Sequence, residues 1–120
     1  MKLFATLLMS ALAAMLCIAC ATVPPPTGHV SDAEAAIRGA MEVDANSVPR
    51  AALHLRLAQE QVDKAKRYMQ DELNDRAELA LQRAEADAEL AIALAREHEM
   101  TTKAKAARAK VEQLKASRAL

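Results

Sequence analysis

Aromatic side chains are almost missing from this sequence: it has no Trp, one Phe and one Tyr. Phe4 belongs to an N-terminal apolar run, so Tyr68 stands alone in the rest of the chain. Without aromatic platforms the chain cannot hold sugars or successive bases by stacking. Glycine is nearly as scarce, with Gly28 and Gly39 alone, and no glycine-rich phosphate loop can be built from two isolated residues. The two cysteines, Cys17 and Cys20, make no paired metal-binding motif. Acidic and basic residues balance at 16 each, so no net charge draws the chain to nucleic acid. Catalysis needs convergent polar groups in a shielded site. No such constellation is legible, and the expectation is a non-enzyme with no cofactor and no metal.

The N-terminus is the most specific segment present. Lys2 precedes an apolar run from Leu3 to Leu16, which closes on Cys17-Ile18-Ala19-Cys20. This resembles a secretory signal ending in a bacterial lipoprotein cleavage box. The resemblance implies that residues 1–19 are removed and that Cys20 becomes the lipidated amino terminus. At roughly 0.8 kcal/mol per buried methylene, two or three acyl chains hold a small protein on a bilayer effectively for good. Ala21 follows the cysteine where enterobacterial-type retention at the inner membrane uses Asp, so the expected place is the outer membrane, facing the periplasm. Cys20 alone survives processing, which leaves no intramolecular disulfide.

From residue 20 onward there are 24 Ala but 22 residues of Leu, Ile, Val, Met and Tyr together. At ~2 kcal/mol for each larger side chain buried, packing barely meets the ordering entropy of so small a chain. An elongated helical object fits this composition better than a globule enclosing a pocket.

Residues 20–30 read as the lipidated Cys and a Pro-rich tether, because Pro24, Pro25 and Pro26 lack amide donors. Ser31-Asp32-Ala33-Glu34 has the spacing of a capping box, so the helical domain is expected over 31–120. A first helix then runs to about Ala45 with Ala33, Ile37 and Ala40 on one face. Asn46-Ser47-Val48-Pro49 interrupts it, and a second helix spans about Pro49 to Gln70. Its apolar stripe is Ala51, Leu55, Ala58, Val62, Ala65 and Met69. Asp71 to Asn74, with neither Gly nor Pro, is a weak turn by its residues, placed there in part because the chain's resemblance to an envelope family implies a break. A breaker-free helix follows from Asp75 to about Arg118, ~66 Å long at 1.5 Å per residue. Its stripe is Ala77, Leu81, Ala84, Ala88, Ala91 and Ala95. Near His98 the phase changes, which predicts a bend or stutter, and the stripe resumes at Met100, Ala104, Ala107, Val111 and Leu114. The fold class is therefore all-α: an elongated helical hairpin or small antiparallel helical bundle with one long C-terminal helix.

Charge blocks bear on topology. Residues 32–45 carry a net −3, 49–70 a net +3, 71–99 a net −6 and 101–120 a net +5. A two-armed hairpin about residues 71–74 sets +3 beside −6 and −3 beside +5, whereas folding the first helix back sets −3 against −6. Exposed pairs are worth a few tenths of a kcal/mol each, so the charges favour the hairpin without fixing it. Of the histidines, His98 between Glu97 and Glu99 is expected in solvent, His54 at the edge of the second helix's stripe, and His29 in the tether.

From Ala45 to about Leu94, Ala45-x-x-Val48-Pro49, Leu55-x-x-Ala58, Val62-x-x-Ala65, a short polar break and then Ala77 with closely spaced Ala and Leu resemble a bacterial envelope family. It is the domain of unknown function 4398 family, Ala-rich lipoproteins found alone or ahead of OmpA-type peptidoglycan-binding domains. The resemblance implies a helical hairpin at the envelope and supplies no catalytic residue. The chain is also similar to small coiled-coil lipoproteins that attach to peptidoglycan through a C-terminal Lys, but Ser117-Arg118-Ala119-Leu120 ends without one, so covalent attachment is not expected. The expected function is an envelope structural or adaptor module. It would present the Ala-rich face of Leu55, Ala58, Val62, Ala65, Met69, Ala77, Leu81, Ala84, Ala88, Ala91 and Ala95 for self-association or for an envelope protein such as an OmpA-type protein. The alternative is non-covalent binding of peptidoglycan or lipopolysaccharide by Lys103, Lys105, Arg108, Lys110, Lys115 and Arg118, against which stands a solvated face neutralised by the first helix.

Overall fold

The computed structural model describes residues 23–119, and among these three helices run in up-down-up order. Cys20 and the expected signal segment lie outside the described residues. Helix α1 is Thr27–Glu42, α2 is Pro49–Gln70 and α3 is Asn74–Arg118, with a short 3-10 turn at Ala45–Ser47 between the first two. No strand occurs among the described residues. The chain is an all-α, elongated helical bundle, as expected.

Helix α1 begins four residues before the expected capping box, so His29 and Val30 lie in a helix and not in the tether. The prolines lack N–H groups, but their carbonyls are free: the Pro25 carbonyl accepts from the Thr27 amide at 2.9 Å and the Pro26 carbonyl from the Val30 amide at 3.2 Å. A helix N-terminus has orphan donors in any case, so prolines just before it cost nothing there. The Ser31 hydroxyl turns back to the Thr27 carbonyl at 3.4 Å, and the Glu34 carboxylate accepts from Lys66 on α2 at 2.8 Å. Both halves of the expected capping box are thus engaged elsewhere.

Helix α1 also stops at Glu42, short of Ala45. Asp44 takes a left-handed conformation, φ 55°, and its amide bonds the Met41 carbonyl. The 3-10 turn then folds Ala45 fully into the core, and Val48 in an extended conformation delivers Pro49 as the first residue of α2.

The topology differs from the charge-favoured hairpin: α1 folds back as the third member of the bundle. Glu34 meets Lys66, Val23 meets Asn74, and a Cβ on Gly39 would lie 3.5 Å from Ile92 Cδ1. Helix α1 therefore runs antiparallel to α2 and alongside α3 in the same sense. Ala33, Ile37 and Ala40 are buried by this packing. Removing them from water at about 25 cal/mol per Å² outweighs like-charge blocks whose exposed members repel by tenths of a kcal/mol.

The core consists of the expected stripes. Ala51, Leu55, Ala58, Val62 and Ala65 are buried on α2, with Met69 partly so, and Ala77, Leu81, Ala84, Ala88, Ala91 and Ala95 are buried on α3. Ala80 and Leu94 join them because α3 has a neighbour on each side, which widens its covered arc beyond one stripe. Ala at most contact positions lets the backbones approach closely, leaving Leu55 and Leu81 as the largest fully buried side chains.

Candidate interaction surface

Burial on α3 ends at Ala95, and every residue from Arg96 to Ala119 is exposed. The helix itself is unbroken from Asn74 to Arg118, so the phase change near His98 is a change of face within one helix and not an interruption. At 3.6 residues per turn, the line through Met100, Ala104, Ala107, Val111 and Leu114 lies about 140° around the helix from the core line. It continues backward along the outer face of the bundle through Ala93, Leu90, Ala86 and Leu79. Five large apolar side chains on this line are open to solvent: Leu79 (55 %), Leu90 (42 %), Met100 (64 %), Val111 (49 %) and Leu114 (52 %).

The sequence reading found the distal part of this line and missed Leu79, Ala86, Leu90 and Ala93. Their signal is a seven-residue spacing, alternating steps of four and three, which holds from 79 to 114 once Arg83 and Glu97 are admitted to the series.

Charge changes sign along the flanks. Asp87 and Glu89 border the line on the bundle, while Lys103 and Lys110 border it on one side of the arm and Arg108 and Lys115 on the other. All six expected cationic residues are exposed, but Lys105 projects away from the line and Arg118 falls on it at the tip. Lys103 bonds Glu99 and Lys115 bonds Glu112 within the helix; Lys105, Arg108, Lys110 and Arg118 have no carboxylate within ion-pair distance among the described residues. The Lys103 ammonium, by hydrogen bond and then by charge, holds the Glu99 carboxyl below its ordinary range. Because α1 folds back, it does not neutralise this basic segment.

The Ala-rich face expected to serve self-association is buried inside the chain's own bundle and is not available to a partner. His98 is exposed as expected, while His54 is half-buried, its Nδ1 2.8 Å from Asp87 Oδ1, linking α2 to α3. Between the 3-10 turn and the root of the arm lies an open hollow of about 210 Å³ lined by Val48, Arg50, Leu94, Glu97, His98 and Thr101. No group of three metal-ligating side chains gathers among the described residues, and no described helix is long and apolar enough to cross a membrane.

No family model, curated protein or solved structure matches the chain.

Proposed function

We propose that the chain is a non-catalytic outer-membrane lipoprotein, similar to the domain of unknown function 4398 family, serving as an envelope structural or adaptor module. The observation that carries this reading is the unburied apolar line on α3, bordered by charges and extending about 30 Å past the last core layer. A surface of this kind associates with other helices and offers no shielded place for chemistry. The cleavage-box residues supply the anchor: Cys20 lies three residues before Val23, whose carbonyl accepts from Asn74 Nδ2 at 2.6 Å at the end of the bundle opposite the arm. Metabolic labelling with palmitate and membrane fractionation test the anchor. Label and outer-membrane recovery are expected for the native chain and their loss for Cys20→Ser; a Cys20→Ser chain that still fractionates with the outer membrane overturns it.

A second reading is favoured by the cations that α1 leaves unneutralised. The arm then holds an anionic envelope polymer without a covalent bond. Salt-sensitive retention on purified peptidoglycan, lost when Lys103, Lys105 and Lys110 are changed to Glu, is the expected outcome; retention insensitive to both sinks it.

A further inference from the structure

The outer line of α3 can be written as a heptad, with Leu90, Ala104 and Val111 among the a positions and Leu79, Met100 and Leu114 among the d positions. Its flanking e and g positions are acidic on the bundle (Asp87, Glu89) and basic on the arm (Lys103, Arg108, Lys110, Lys115). A parallel pairing of two such helices would bring Lys103 to Arg108 and Lys110 to Lys115, like charge against like. An antiparallel pairing does the reverse.

We propose that the arm docks on the acidic half of the same helix in a second copy of this chain, the two α3 helices lying antiparallel about a two-fold axis near residue 98. In this register Glu89 of each copy faces Lys110 of the other, and Asp87, which also bonds His54 of its own α2 at 2.8 Å, faces Arg108, giving four complementary pairs per dimer. Along the seam Leu90 lies opposite Ala107 and Val111 opposite Ala86, Ala93 meets Ala104, and the stems of Arg83 and Glu97 lie against Leu114 and Met100. Sliding the pairing by a heptad in either direction loses the symmetric set of four. Like charges approach at Arg96 and Lys103, where Lys103 already donates to Glu99 of its own helix, and at the two Glu97 side chains that flank the axis. Neither bundle obstructs the other, because each arm projects past its own core and α1 and α2 cover the opposite face of α3.

The proposal names the partner that the adaptor reading leaves open, and it rests on that reading only for the display of this face. It also puts the two N-terminal ends at opposite ends of a rod of about 75 Å at 1.5 Å per residue, so two anchors in one bilayer would lay the rod along the membrane surface.

The test is sedimentation equilibrium of the full chain in detergent solution across a concentration series, with circular dichroism to confirm that each variant keeps its helicity. All substitutions are at exposed positions. The native chain is expected to form a dimer that weakens with salt. Glu89→Lys and Lys110→Glu are each expected to weaken it about tenfold, since each turns two attractive contacts per dimer into repulsive ones. An equimolar mixture of the two variants restores association, because every cross-pair is again acid against base. A parallel dimer would instead be strengthened by Lys110→Glu and indifferent to Glu89→Lys. A native monomer at all concentrations, that parallel pattern, or a mixture that fails to reassemble overturns the proposal, while loss of palmitate labelling would touch only the anchor.

Discussion

The turn between α2 and α3 contains neither Gly nor Pro, and Glu72 carries the strain this implies. Its φ is 58°, its amide bonds the Met69 carbonyl at 3.2 Å, and the next amide, of Leu73, bonds the Tyr68 carbonyl at 2.8 Å. This is a Schellman motif with a glutamate in the left-handed position that glycine usually fills. A left-handed L-residue costs roughly 1–2 kcal/mol, part of which glycine returns as greater chain entropy. Glu72→Gly is therefore expected to stabilise the bundle by about 1 kcal/mol and raise its melting temperature by several degrees. Asp44→Gly, at φ 55°, gains less, because Asp tolerates that region better. Gly39→Ala is expected to stabilise by about 0.5–1 kcal/mol, since the new Cβ meets Ile92 Cδ1 at an ordinary 3.5 Å within a helix. Leu81→Ala runs the other way, costing about 2–5 kcal/mol in a core with few large side chains. Thermal melts followed by circular dichroism check all four. Leu81 was legible from period alone, whereas Glu72 was not, because nothing in a glutamate's chemistry announces a left-handed turn.

Element boundaries were legible where a residue is incompatible with the alternative. Pro49 starts α2 because a proline is not tolerated in the interior of a preceding helix, and the sequence put the start at about this residue. The start of α1 was misread because Pro25 and Pro26 act there as acceptors, a role their missing N–H does not affect. The fold-back of α1 is held at the surface by Glu34 and Lys66. The Lys66 ammonium, by its hydrogen bond and then its charge, holds the Glu34 carboxyl below the usual carboxylate range, and the same hydrogen bond raises Lys66. A lowered carboxyl contributes stability above its unfolded pKa and loses it as pH falls through the folded value. A raised ammonium contributes fully below its unfolded pKa and loses it as pH rises through the folded value. The tie is thus complete from mildly acidic to mildly basic pH and weakens at both extremes. An NMR titration of carboxyl carbon shifts should place Glu34 below the ordinary carboxylate range, and Lys66→Met should raise it. A Glu34 indifferent to that change would mean that α1 does not lie antiparallel to α2.

At the scale of the whole molecule, the sequence's charge blocks suggested one topology and burial selected another. Block charges are spread over solvent-exposed side chains and act through water, while Ala33, Ile37 and Ala40 gain by leaving it. The consequence is an uneven rod: among the described residues every buried one lies between Ala33 and Ala95, and α3 is exposed at every residue from Arg96 to Arg118. A chain ending after Met100 should therefore keep the bundle intact. In urea denaturation at protein concentrations low enough for the native chain to be monomeric, its unfolding free energy is expected to stay within about 0.5 kcal/mol of the native value, as for changes remote from any packed group. At higher concentration the two should part. Association stabilises the folded form by mass action, so the native chain's midpoint should rise with concentration while that of the shortened chain stays fixed. A shortened chain that is destabilised even when dilute would show that the arm supports its own bundle. Parallel concentration dependence in both chains would move the association surface off the arm.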